Sequence, residues 1–146
     1  MLIPLSLPPA DAWDWPVAVP EVAGAFRSPS SQWGPGHRGI DLEASPGAPV
    51  SAVADGRVTF VGRIAGVPTI SVDHGAIRST YQPVVATVAE GDLVSAGEPI
   101  GRVDGRLAHC PATCLHLGAK ASAGYLDPVA LILGGRVVLK PVDGPA

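Results

Sequence analysis

Residues 50–84, VSAVADGRVTFVGRIAGVPTISVDHGAIRSTYQPV, decide the fold class of this chain. Short runs rich in Val, Ile and Thr are separated by Asp-Gly, Ala-Gly and His-Gly pairs. β-Branched residues suit a pleated, half-buried surface, and glycine pairs supply tight turns. The pattern predicts strands at 50–53, 57–61, 68–74 and 78–81. Asp55-Gly56 reads as a hairpin turn joining the first two, and Gly62 and Gly66 bracket the next turn. Further on, 87–89 leads into a turn at Glu90-Gly91-Asp92. Strands are predicted at 99–103 and 114–119, with an irregular loop at 104–113 between them. A last strand at 136–139 closes the sheet. Only 128–133, PVALIL, reads as helix, with Pro128 in the first turn. The segments VSAVADGRVTFVG and VAEGDLVSAGEPIGRV are loosely alike, each a strand, an acidic-Gly turn and a strand. The fold class is all-β, a folded antiparallel sheet.

Outward from this stretch, residues 1–20 form a Pro-rich, extended lead-in, 21–142 a single β domain and 143–146 a tail. Trp13 and Trp15, two apart, face one side of an extended segment and are expected to cover an open edge of the core. The opening MLIPLSLPPA is apolar but lacks a basic leader, so it reads either as the remnant of an export signal or as a lead-in. Residues 27–39 are a loop full of Ser, Pro and Gly. The whole chain has 146 residues, 18 Gly, 16 Pro and a net charge of -3, with 47% hydrophobic and 16% charged residues. That length suits one compact core. No Lys/Arg cluster exists to neutralise phosphates, which argues against nucleic acid as a partner. No apolar run approaches the roughly 20 residues of a membrane span.

The residues that carry chemistry are few. His37 and Asp41 stand four apart in Gly36-His-Arg-Gly-Ile-Asp, and imidazole and carboxylate are both competent zinc ligands. Gly39 between them lets the backbone bend. His116 lies in Cys114-Leu-His-Leu-Gly, where strand alternation puts Cys114 and His116 on one face and Leu115 and Leu117 on the other. The spacing alone also fits an ordinary loop histidine, an exposed aspartate and a half-buried strand histidine. Cys110 and Cys114 are the only cysteines. They read as a short disulfide, as two thiols or as part of a metal site.

Taken in order, GHRGIDL, PGAPVSAVADGRV, VDHG, STY and LHLG resemble the signatures of the M23 peptidases, the lysostaphin-like zinc metalloendopeptidases. The resemblance runs from about Gly36 to Ala119. It implies the lysostaphin-type folded β-sheet, barrel-sandwich-like, with zinc ligands at His37 and Asp41 of the HxxxD motif and at His116, the second histidine of the HxH motif. Three protein ligands with an open fourth position mark a catalytic rather than a structural zinc, and a water there becomes acidic enough to attack a peptide carbonyl. In the family this cleaves peptides of bacterial peptidoglycan. His74, in Asp73-His74-Gly75, matches a turn of the fold and reads as structural.

The chain departs from the family pattern at two helper histidines. The first HxH position holds Cys114, and the position two after Tyr81 holds Pro83. Proline has no titratable group and no backbone N–H. Cys114 is expected to pair with Cys110 in a disulfide, which removes it as acid, base and ligand alike. Weak substitutes for the lost helpers are Cys114 itself, Tyr81, the neighbouring Gln82 and His109. With TYxPV upstream and YLDP downstream, the CxxxCLH version resembles an actinobacterial branch of the family. The resemblance implies a secreted or cell-envelope domain, although no convincing signal peptide is present. The expectation is a zinc-binding monomer with impaired or absent peptidase activity, associating with peptidoglycan or a cell-wall enzyme. The alternative is an active zinc endopeptidase cleaving peptidoglycan peptides.

Overall fold

A computed structural model of the chain describes residues 12–18, 20–27, 38–105 and 114–133. Several expectations therefore lie outside the described residues: the opening ten residues, most of the 27–39 loop with His37, His109 and Cys110, the strand at 136–139 and the tail. Among the described residues the elements are β1 (Val22–Gly24), β2 (Ile40–Glu43), β3 (Pro49–Ser51), β4 (Gly56–Ile64), β5 (Val67–Asp73) and β6 (Ile77–Gln82). They continue with β7 (Val84–Ala86), β8 (Leu93–Val94), β9 (Pro99–Val103), β10 (Cys114–Ala121), β11 (Gly124–Leu126) and the short helix α1 (Pro128–Ile132). The all-β expectation holds. A helix of 5 residues is the one helical element described, capped by Asp127, whose carboxylate accepts from the Val129 N–H.

Strands pair antiparallel into two sheets. The larger runs β1-β2-β10-β6-β5-β4-β8, with β11 on β10, and the smaller runs β3-β9-β7. Alternation along each strand sorts the side chains of the larger sheet. Ile40, Leu42, Leu115, Leu117, Tyr81, Ile70, Val72 and Val58 are buried on the inner face. They meet Val50, Val84, Ile100 and Val103 from the smaller sheet, so a single apolar core lies between the two. Trp13 and Val17 belong to that core, and Trp15 packs against it. Trp13 is 2% exposed, the Trp13 N–H donates to the Leu131 carbonyl at 3.0 Å, and the Ser51 N–H donates to Pro16 at 2.8 Å.

Two turn readings are corrected. Asp55-Gly56 does not close a hairpin: β3 pairs with β9, and β4 pairs with β5 and β8. The dipeptide carries the chain from one sheet to the other, because a local turn signal reports a reversal of direction and not the partner strand. The β4–β5 hairpin turns at Ala65-Gly66 alone, with φ of 52° and 83°. Both residues at positive φ give the primed turn that matches strand twist, and the glycine takes its place without a Cβ penalty. Gly62 lies inside β4. The segment 87–89 lies beyond the end of β7, whose bounds are Val84–Ala86.

Candidate metal centre

Because β10 pairs with β2, the outer face of the larger sheet brings distant residues into rows. Asp41 lies opposite His116, and Glu43 lies opposite Cys114. On the other side of β10, His116 lies opposite Gln82 of β6. The alternation expected for β10 is present: Leu115 and Leu117 enter the core, while Cys114 and His116 take the outer face.

His116 Nδ1 and Asp41 Oδ1 are 2.9 Å apart, with the two side chains 14% and 12% exposed. The other ring nitrogen is turned the opposite way. A Cβ built at Gly39 would stand 2.6 Å from His116 Nε2 and 2.4 Å from the Leu117 carbonyl. Only glycine leaves room for the ring there, and Nε2 faces that backbone. Nδ1 is therefore the nitrogen that shares the outer face with the carboxylate. One imidazole nitrogen and one carboxylate oxygen side by side fit half of an N/O zinc site. Among the described residues no three His, Cys, Asp or Glu side chains gather into such a group. The third expected donor, His37, lies outside them.

The helper positions are accounted for differently. Cys114 is 1% exposed and is not a free thiol, so it offers no acid or base to the face it occupies. Pro83 is buried, and its carbonyl accepts from the Asp104 N–H at 2.9 Å. Tyr81 is corrected as a catalytic candidate. It is 0% exposed on the inner face, across the sheet from His116. Its hydroxyl accepts from the Val53 N–H at 3.0 Å and bonds Ser79 Oγ at 2.8 Å, and burial pushes its pKa up to about 12. Gln82 stays on the outer face, with its Oε1 accepting from Thr69 at 3.1 Å.

His74 also belongs to the core side. The Asp55 carbonyl can only accept, so His74 Nδ1 donates to it at 2.8 Å, and Nε2 accepts from the Ser79 hydroxyl at 2.7 Å. Its ring packs against Trp13 at 5.6 Å. Burial lowers its pKa, partly opposed by the Asp55 carbonyl and by the charges of Asp73 and Asp55. The structural reading of His74 agrees with this geometry. Sequence reasoning missed Glu43 and the constraint at Gly39, although period-2 alternation from Asp41 reaches Glu43 directly.

A two-sheet antiparallel domain with an imidazole–carboxylate pair on the outer face of its larger sheet has the architecture of a metallopeptidase domain. Comparison with known proteins makes this specific. The chain belongs to peptidase family M23, whose family model matches residues 35–128. It is 41% identical over 150 residues to the protein Rv2891 of Mycobacterium tuberculosis, covering 95% of this chain and 60% of that one. It is 36% identical over 100 residues to the DD-carboxypeptidase/endopeptidase Mpg of Neisseria meningitidis, covering 66% of this chain and 23% of Mpg. The chain thus spans three fifths or less of the length of these curated relatives. Two solved structures share the fold. One is a zinc-containing peptidase from Vibrio cholerae, with TM-score 0.68 and 23% identity over 80% of this chain and 39% of that one. The other is the catalytic domain of the antimicrobial peptidase lysostaphin from Staphylococcus simulans, with TM-score 0.67 and 22% identity over 78% of this chain and 92% of that one.

Proposed function

We propose that this chain is a zinc-binding M23 domain of the cell envelope that holds peptidoglycan peptides and hydrolyses them poorly or not at all. The observation that carries the reading is the Asp41–His116 pair at 2.9 Å, kept on the outer face beside a position 114 that offers no free thiol. His37, Asp41 and His116 would hold the metal. When bound, zinc supplies a Lewis acid for a peptide carbonyl and a more acidic water. The chain's own contribution is to orient: Gly39 fixes the His116 ring, and Thr69 holds Gln82 next to it. General acid–base help typically contributes 10²–10⁴-fold, and neither Pro83 nor a cysteine paired in a Cys110–Cys114 disulfide can give it.

The domain acts as a binding or regulatory module, as a monomer, on peptidoglycan itself or beside a cell-wall enzyme. Export fits a Cys110–Cys114 disulfide, a bond that persists in oxidising compartments. No described helix is long and apolar enough to cross a membrane.

Two measurements test the reading. Zinc per chain after zinc addition and desalting is expected near one equivalent, falling sharply in Asp41→Ala; less than a few tenths in the wild type removes the metal. Muropeptide release from purified peptidoglycan is expected at or near background. Clear release that vanishes in Asp41→Ala makes the domain an active endopeptidase instead.

A further inference from the structure

The two tryptophans of the lead-in part company in the fold. Trp13 is buried in the core, whereas Trp15 is half-buried, packing against the core and lining an open groove of about 820 Å³. That volume falls among clefts that hold ligands, about 300–1,000 Å³. Pro16, Pro46 and Pro49 continue the apolar wall. Neither Asp41 nor His116 lines it, so the groove stands apart from the metal pair.

Three acidic residues line the same groove: Asp14 from the lead-in, Glu21 just before β1 and Glu43 at the end of β2. All three are exposed, and no Lys, Arg or His is among the described residues that line the groove. Their carboxylates accept no hydrogen bond from, and form no ion pair with, any described residue. The backbone nevertheless holds their segments in place. The Asp14 N–H donates to the Val53 carbonyl at 2.7 Å, the Glu43 N–H to Glu21 at 2.9 Å and the Ser51 N–H to Pro16 at 2.8 Å. Acids fixed along one apolar groove without a counter-charge repel one another, and a cation there removes that repulsion. Among the described residues no three His, Cys, Asp or Glu gather closely enough to hold a metal ion. The acids are therefore spread along the groove and not focused on one point.

We infer that this groove docks an extended basic segment of a partner protein. Lys and Arg side chains suit it because their aliphatic stems lie on apolar surface while the charged heads reach the acidic groups. An Arg head also stacks on an indole, here that of Trp15. Short apolar residues between the basic ones meet the prolines. A polyanion is the wrong occupant, because three carboxylates repel the phosphates of nucleic acid and the anionic headgroups of a membrane. A bare metal ion lacks the close set of oxygen ligands it needs. The net charge of -3 favours the approach of a basic partner to the chain as a whole, and the groove fixes where it binds.

The test is binding of labelled eight-residue peptides to the full chain, read by fluorescence anisotropy. One peptide carries three Lys or Arg residues separated by Ala and Pro, and the other has Gln in their places. The basic peptide is expected to bind roughly tenfold tighter or more in low salt, the advantage shrinking as salt rises. In Asp14→Asn/Glu21→Gln/Glu43→Gln the advantage disappears. The melting temperature of that variant does not fall, because no described residue is bonded to these carboxylates. The control Asp73→Asn/Glu90→Gln/Asp92→Asn removes the same number of charges elsewhere. Its amides can still accept from the N–H groups of Gly75, Val61 and Ala89, and it keeps the advantage. Equal affinity of the two peptides for the wild type would overturn the groove. So would an advantage that the control loses as fully as the first variant, which would reduce the effect to net charge. Spermidine displacing the basic peptide at matched concentration would make the occupant a free polyamine and overturn the protein partner.

Discussion

Replacing Tyr81 by Phe separates a core role from a catalytic one. The substitution keeps the ring and deletes a single oxygen. That oxygen accepts from the Val53 N–H at 3.0 Å and bonds Ser79 at 2.8 Å, at a residue with 0% exposure. Val53 is itself 0% exposed, so its N–H has no access to water once the hydroxyl is gone. A buried donor left without a partner costs about 1–3 kcal/mol. Little cavity forms, so the packing loss adds almost nothing. Tyr81→Phe is therefore expected to lose about 2 kcal/mol in urea denaturation. At about 4 °C per kcal/mol for a domain of this size, its melting temperature should fall by roughly 8 °C. Because the hydroxyl lies across the sheet from His116, zinc content should be unchanged. A loss below about 0.5 kcal/mol, or a fall in zinc content at unchanged stability, refutes the assignment of this hydroxyl to the core.

The His74 ring gives a pH signature. Its folded pKa lies below the unfolded 6.5, so the unfolded state binds the extra proton first. The contribution is complete above pH 6.5 and is lost as pH falls toward the folded value; denaturation midpoints for wild type and His74→Gln over pH 5–8 should show this acid slope in the wild type and a flatter one in the variant. Gly39→Ala forces a Cβ to within 2.6 Å of His116 Nε2, so it should cost about 1–3 kcal/mol and weaken zinc binding together, read by melting and metal titration.

How much of this was legible beforehand follows from the range of each signal. The strands around 57–61, 68–74, 78–81 and 99–103 were readable because alternation and turn glycines act over a few residues. Partnership was not. The adjacency of Asp41 and His116 spans 75 residues of chain, and nothing local encodes it. It was reached only through the ordered family motifs. Asp55-Gly56 misled for the same reason, since the signal for reversal is shared by hairpins and by crossings between sheets. Tyr81 was offered as a substitute for a lost helper because a motif gives its sequence neighbourhood but not its face. One step along β6 separates Tyr81 in the core from Gln82 beside His116. The groove that gathers Asp14, Glu21 and Glu43 was equally invisible, because its three acids come from separate segments of the chain.

The impaired-enzyme reading has its sharpest consequence at position 114. In Cys110→Ser/Cys114→His, alternation puts the new imidazole on the outer face with His116, about 7 Å further along β10. Its cross-strand partner is Glu43, a carboxylate able to hold a ring N–H. Cys114 is 1% exposed, so the larger ring costs about 1–3 kcal/mol in packing, which a domain stable by about 5–15 kcal/mol tolerates. If the absent histidine limits turnover, a zinc-loaded variant should hydrolyse peptidoglycan peptides about 10²–10⁴-fold faster than wild type, with a new limb near the histidine pKa in its pH profile. Proline at 83 still withholds the second helper, so the lower part of that range is expected. A folded, zinc-loaded variant that stays at background would show that the first helper is not what the chain lacks. The weakness of the site would then lie at Pro83 or in the orientation of the Asp41–His116 pair.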